Sequence, residues 1–319
     1  MTESFLIAPF NDFAFLRRAL AACIILSVGG APLGFFMNQR RMALVSDAMS
    51  HAILPGVAVA FLIAGMGVWS LTLGGLCAGI LIALFAVYLI RHTKIKEDAV
   101  FTLFFLLSLT SGFVLLSLKG SNIDLMHMLF GDVLAINRDA LIFIFSVTAL
   151  TLFSLAFIYR GLLLDCFDPD FLTASGRGRI VRPAFFVLFV VNLVAAFQAL
   201  GTLMALGLIL LPAIAARFWT RHVTTAILFS VALAILASYS GLLLAFYADT
   251  PAGATVVLVC AVLCLLSVLA GRYGSLWAET RRQGPGVIMT ARSERNFFLP
   301  AAKAEAGDGG QTALSRPES

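Results

Sequence analysis

Apolar residues run in blocks of about 20, the length that crosses a bilayer as a helix, with short polar connectors between them. Nine such segments are predicted, at 13–37, 44–64, 69–90, 99–118, 139–159, 183–200, 203–217, 223–247 and 252–271. The connectors sort by charge into two sets. Arg40-Arg41, the Arg91 to Lys96 loop, Arg160 to Arg182, Arg217 to His222 and everything after Arg272 hold most of the Lys and Arg. Gly65 to Trp69, the Lys119 to Arg138 loop and the Asp249-Thr250-Pro251 turn form the other set. The positive-inside rule makes the first set cytoplasmic. Arg17 and Arg18 break the pattern, because this assignment puts the N-terminus outside.

Gly201-Thr202 interrupts segments six and seven, and the seventh is short for a full span. The pair is therefore expected to be one broken unit, of the kind tolerated where it is buried in protein or lines a cavity. Ile53-Leu54-Pro55-Gly56-Val57-Ala58 and Leu210-Leu211-Pro212-Ala213-Ile214-Ala215 echo one another. Corresponding Pro-interrupted segments in two halves point to an inverted repeat with a binding site between the halves. Gly30 and Gly34, and again Gly75 and Gly79, have the GxxxG spacing that lets helix backbones approach. From Gly274 the chain turns polar and loses periodicity. The expected organisation is a transmembrane domain over residues 1–272 and a cytoplasmic, disordered tail over 273–319. The fold class is all-α and polytopic, with eight or nine transmembrane helices.

Composition agrees with the pattern. The 319 residues are 61% hydrophobic and only 12% charged, which excludes an ordinary soluble domain. The net charge of +5 sits in the connectors and does not mark a nucleic-acid binder. Cys23, Cys77, Cys166, Cys260 and Cys264 form no CxxC pair and no disulfide framework. Cys260 and Cys264 share a helical face and are read as packing. Leu20-Ala21-Ala22-Cys23 looks like a lipoprotein cleavage box, but no apolar stretch separates it from Arg17-Arg18. Residues 13–37 are accordingly read as an uncleaved first helix.

Candidate chemistry concentrates in Ser46-Asp47-Ala48-Met49-Ser50-His51. Asp47 and His51 lie four apart, so on a helix they fall about 40° from one another on one face. A carboxylate oxygen and an imidazole nitrogen suit a divalent first-row metal, and ionisable groups are costly in lipid. The competing reading is that Ser46 or Asp47 caps a helix start, with His51 a hydrogen-bonded core residue. Asp124, His127 and Asp132 form a second candidate cluster, for metal or for docking, in an outer loop; the competing reading is an ordinary solvated loop. Asn192 and Gln198 either line a pathway or bond between helices. There is no GxxxxGK[ST] phosphate loop, so the chain does not hydrolyse ATP, and no HExxH or nucleophile elbow.

Residues 35–61 resemble the permease subunits of bacterial ABC importers for zinc and manganese. The match runs from Arg40-Arg41-Met42-Ala43-Leu44 through Ser46-Asp47-Ala48-Met49-Ser50-His51-Ala52-Ile53-Leu54-Pro55-Gly56-Val57-Ala58. Further matches follow in order at Lys94 to Ala99, Leu129 to Ile136, Phe167-Asp168-Pro169-Asp170-Phe171, Gln198 to Leu203 and Asp249 to Thr255. Position 46 is Ser where Gly is usual, and Phe101 to Phe105 is bulkier than the family pattern. The resemblance covers about residues 5–272 and implies the fold of the cobalamin, siderophore and metal importer permeases. It implies a transported zinc or manganese ion at Asp47 and His51, with no resident cofactor and no catalytic residue. The implied partners are cytoplasmic ATPase subunits, an extracytoplasmic metal-binding protein and a second permease copy, in the bacterial plasma membrane. Asp168, Asp170, Phe171, Leu172 and Gly176 fall in the region that resembles the family's ATPase-coupling helix; the other reading is a plain connector. A permease for a metal chelate and an intramembrane metalloenzyme are the alternatives. A chelate has its coordination filled, and an enzyme needs a further ligand and a base.

Overall fold

The computed structural model describes residues 9–40, 42–65, 67–93, 95–117 and 136–273. Among them the chain runs as α1 (Ala14–Gln39), α2 (Ala43–Ala52), α3 (Leu54–Ala64), α4 (Val68–His92), α5 (Glu97–Ser117) and α6 (Arg138–Phe167). It continues as α7 (Pro169–Ala174), α8 (Gly178–Leu200), α9 (Thr202–Ala216), α10 (Val223–Ala248) and α11 (Ala252–Ala270). No strand occurs among the described residues. Eight stretches are long and apolar enough to cross a membrane, with residues 45–64 of α2 and α3 counted as one, and α9 is a shorter apolar helix. Helices are the outcome lipid demands, because every backbone N–H and C=O must be satisfied within its own segment.

Three expectations change. The segment at 44–64 breaks at Ile53, between α2 and α3. Pro55 has no N–H to return to the His51 carbonyl, which the Ile53 N–H takes instead. Segments six and seven are two reversed helices rather than one broken unit. Gly201 turns the chain at φ +80°, a region open to glycine at little cost. Helix α9 then runs back at about 22 Å, shorter than the hydrocarbon core. It tolerates this because Met204, Ala205, Leu208, Ala213 and Ala216 are buried against neighbouring helices. The connector from Arg160 to Arg182 is mostly helical, since α6 runs on to Phe167 and α8 starts at Gly178. Charges are carried to those ends because Asp165 and Arg182 neutralise each other, Arg182 Nε donating to Asp165 Oδ1 at 2.8 Å. The two echoing Pro segments also differ locally: Pro55 begins a helix after a break, whereas Pro212 lies inside unbroken α9.

Contacts between helix ends sort the connectors into two faces. On one, Arg40 pairs with Asp165, Arg91 Nη2 donates to the Gly178 carbonyl, and the Tyr273 N–H donates to the Phe218 carbonyl. On the other, the Phe13 ring meets Phe246 and Trp69 meets Phe143. The first face carries the arginine-rich connectors, and the positive-inside rule expects it on the cytoplasmic side, with Phe13 and the start of α1 outside.

Two apolar clusters share α1. The cytoplasmic half of α1 packs Leu33, Phe36 and Met37 with Met49, Phe101, Phe185 and Phe189. Its outer half packs Ala19, Cys23 and Leu26 with Met204, Leu208, Ala234 and Val256. Large side chains such as Leu81, Leu103, Phe157, Leu228 and Leu258 point outward, the surface a bilayer requires and water penalises.

Candidate metal centre

Helix α2 begins at Ala43 after Met42, with no side-chain capping bond. Ser46 and Asp47 therefore lie a turn inside the helix, and the capping alternative fails. Asp47 and His51 project one turn apart from the same face, with Asp47 Oδ1 3.9 Å from His51 Nε2. That is too long for a hydrogen bond. Two metal bonds of about 2.1 Å span roughly 3.4 Å at a tetrahedral angle, so one ion would reach both atoms after a side-chain shift of about half an ångström.

The two side chains differ in access. The Asp47 side chain is 57% exposed and that of His51 24%. The edge of Phe105, on α5, meets the imidazole with ring centroids 5.2 Å apart. The bulky Phe101 to Phe105 stretch thus bears directly on the site: Phe105 covers His51, and Phe101 packs on Phe186. Ser50 Oγ donates to the Asp47 carbonyl at 2.6 Å, while Ser46 is buried. The break at Ile53 falls in the middle of residues 43–64, so His51 sits close to mid-span, where interrupted helices place transport sites. No group of three or more His, Cys, Asp or Glu placed to hold a metal ion occurs among the described residues, so Asp47 and His51 stand here as a pair.

The other predicted residues are not brought to this pair. Asp124, His127 and Asp132 lie outside the described residues. Asp168 caps α7, its Oδ1 accepting from the Phe171 N–H at 2.9 Å. Asp170 and Phe171 face outward, and Gly176 turns the chain after α7 at φ +73°. Leu172, the third residue of α7 in that set, faces the other way. It is wholly buried, because an apolar side chain on so short a helix is what fastens it to the body. Asn192 bonds between helices, its Nδ2 donating to Thr151 Oγ1 on α6, and Gln198 is exposed at the outer end of α8.

Sequence reasoning missed a buried ionic cluster beside α7. Asp165 Oδ2 lies 3.1 Å from Arg40 Nη2, and its Oδ1 accepts from Arg182. The signal was a carboxylate at the end of the apolar run Leu162-Leu163-Leu164, where a lone charge is too costly to stand without partners.

These features define an all-α, multi-pass membrane protein, and its relatives make it a permease of the bacterial plasma membrane, a transport subunit and not an enzyme. The model of the ABC 3 transport family matches residues 12–271, and the chain belongs to that family. It is 32% identical over 262 residues to the manganese import system permease protein ScaB of Streptococcus gordonii, covering 82% of this chain and 93% of that protein. It is 30% identical over 258 residues to the manganese transport system membrane protein MntC of Halalkalibacterium halodurans, covering 80% and 87%. Among solved structures, PsaBC from Streptococcus pneumoniae in complex with Fab superposes with a TM-score of 0.73 at 28% identity, covering 88% of this chain and all of that one.

Proposed function

We propose that the chain forms the translocation pathway of an ATP-driven importer for a divalent metal ion, manganese before zinc, and that Asp47 and His51 hold the ion in transit. The observation that carries this reading is the Asp47–His51 pair, facing one way beside a mid-span helix break. Oxygen and imidazole ligands suit both metals. The preference for manganese rests on the names of the relatives. Two ligands from one chain favour an ion that must leave again, and a second copy of the chain would double the set. The exposed Asp47 carboxylate takes the ion first and the covered His51 completes the hold.

The ion arrives from an extracytoplasmic binding protein. ATP binding and hydrolysis in separate cytoplasmic subunits, docked at Asp170 and Phe171 of α7, reorient the helices around the site. A chelate permease would need neither ligand, because its cargo brings its own coordination.

The test is uptake of radioactive manganese and zinc in cells that lack their own high-affinity importers. These cells would carry the permease with its ATPase and binding protein. Wild type is expected to take up manganese. His51→Ala at matched membrane expression is expected to fall by at least about 10- to 100-fold, the loss that even outer-shell partners of metal ligands cause. Undiminished uptake in the variant would overturn the site, and uptake of neither metal would favour the chelate reading.

A further inference from the structure

The geometry points to the Arg40–Asp165–Arg182 cluster as the joint through which α7 acts on α2, the helix of Asp47 and His51. This inference rests on the roles proposed above for α7 and for that pair. The side chain of Asp165 is 1% exposed and that of Arg40 8%. Each of the three residues sits where an element ends or begins. Asp165 lies three residues before Asp168, which caps α7. Arg182 lies in the opening turns of α8, just past α7. Arg40 closes α1 and stands three residues before α2.

The two contacts of Asp165 differ in kind. Arg182 Nε donates an aligned hydrogen bond at 2.8 Å, which closes α6, α7 and α8 into one hairpin. Arg91 adds a second tie to that hairpin through the Gly178 carbonyl at 2.7 Å. Arg40 is paired with Asp165 by charge, but Asp165 Oδ2 and Arg40 Nη1 have no aligned hydrogen-bond partner among the described residues. The hairpin is thus tightly made, and its connection to the α1–α2 corner is the looser contact. Phe185 and Phe186 face the Arg40 guanidinium, 5.9 and 5.6 Å from their centroids, and exclude water from it. In such low dielectric charge attraction holds Arg40 to Asp165 without an aligned hydrogen bond. The unused Arg40 Nη1 donor and Asp165 Oδ2 acceptor leave the pair free to tighten into an aligned bond, the second position that a two-position joint needs. Movement of α7 shifts Asp165, Asp165 draws Arg40, and Arg40 carries α2.

The test uses the whole transporter in proteoliposomes, with its ATPase subunits, its binding protein and manganese. Uptake, ATP hydrolysis and co-purification of the ATPase are measured together. Arg40→Gln is expected to retain the ATPase and its turnover while manganese moved per ATP falls about tenfold, within the range typical of couplings between sites. Arg40→Lys, which keeps the charge, is expected to restore most of that ratio. Should Arg40→Gln fold poorly, a triple variant takes its place: Arg40→Met, Asp165→Leu and Arg182→Met. Such apolar replacement of a buried ionic cluster is often neutral for stability. It is expected to assemble and to hydrolyse ATP without moving metal. A normal transport ratio in either variant, or a proportional loss of ATPase and uptake, would overturn the joint and leave the cluster structural. Failure of the metal-site reading shows separately, as wild-type liposomes that take up no metal or as His51→Ala liposomes that do.

Discussion

A buried polar residue in lipid must find a partner, and Asn192 shows how that settles its role. It is wholly buried, donating to Thr151 Oγ1 and, at 3.0 Å, to the Leu188 carbonyl. Its Oδ1 lies against Gly29 of α1. Its donor ties α8 to α6, while its buried Oδ1 has no hydrogen-bond partner among the described residues. Asn192→Leu is therefore expected to lower stability by about 1 kcal/mol, the scale of an interhelical hydrogen bond in a membrane. A fall in melting temperature in detergent, with uptake per folded transporter unchanged, would bear this out. Asp47 and His51 were legible in the sequence because both lie on one short helix and their spacing alone puts them on one face. Arg40, Asp165 and Arg182 were not, because their pairing joins three helix ends that are remote along the chain.

Helix contacts follow the same division. The GxxxG pairs marked faces where backbones come close: Gly30 and Gly34 receive Ile209, and Gly75 and Gly79 face Ile53 and Val190. Yet a close approach that the motif does not mark occurs between Gly56 of α3 and Gly74 of α4, where a side chain on either would meet the other's backbone carbonyl. Gly56→Val must then force two backbones apart. The expected cost is about 1–3 kcal/mol, the range for overpacking a tight interface, with lower folded yield and melting temperature. A variant as stable as wild type would show that α3 is free to move away from α4. The same contact fixes the segment that follows the Pro55 break, so that the break stands as a defined bend and not a loose one.

At the scale of the whole molecule, the contacts at the two faces make a statement about sidedness. Asn11, next to the outer end of α1, is exposed, as is Thr93 at the cytoplasmic end of α4. In a cysteine-free background, Asn11→Cys is expected to react with a membrane-impermeant maleimide in intact cells. Thr93→Cys is expected to react only after permeabilisation. The reverse pattern would invert the assignment and move α7 to the wrong side for a cytoplasmic ATPase. Arg17 and Arg18 do not overturn it, since the two faces are defined by many connectors and these two residues are outnumbered.

By itself the sequence determined the spans and set Asp47 and His51 on one helical face. Each depends on local composition and spacing, and lipid leaves a long apolar segment no alternative to a helix. Only the tertiary structure decided that α8 and α9 reverse at Gly201, that Leu172 turns inward, and that Asp165 holds two arginines. Those outcomes depend on which distant segments meet, and in a bilayer that is set by close packing and polar pairing between helices. Hydrophobic patterning carries no record of either.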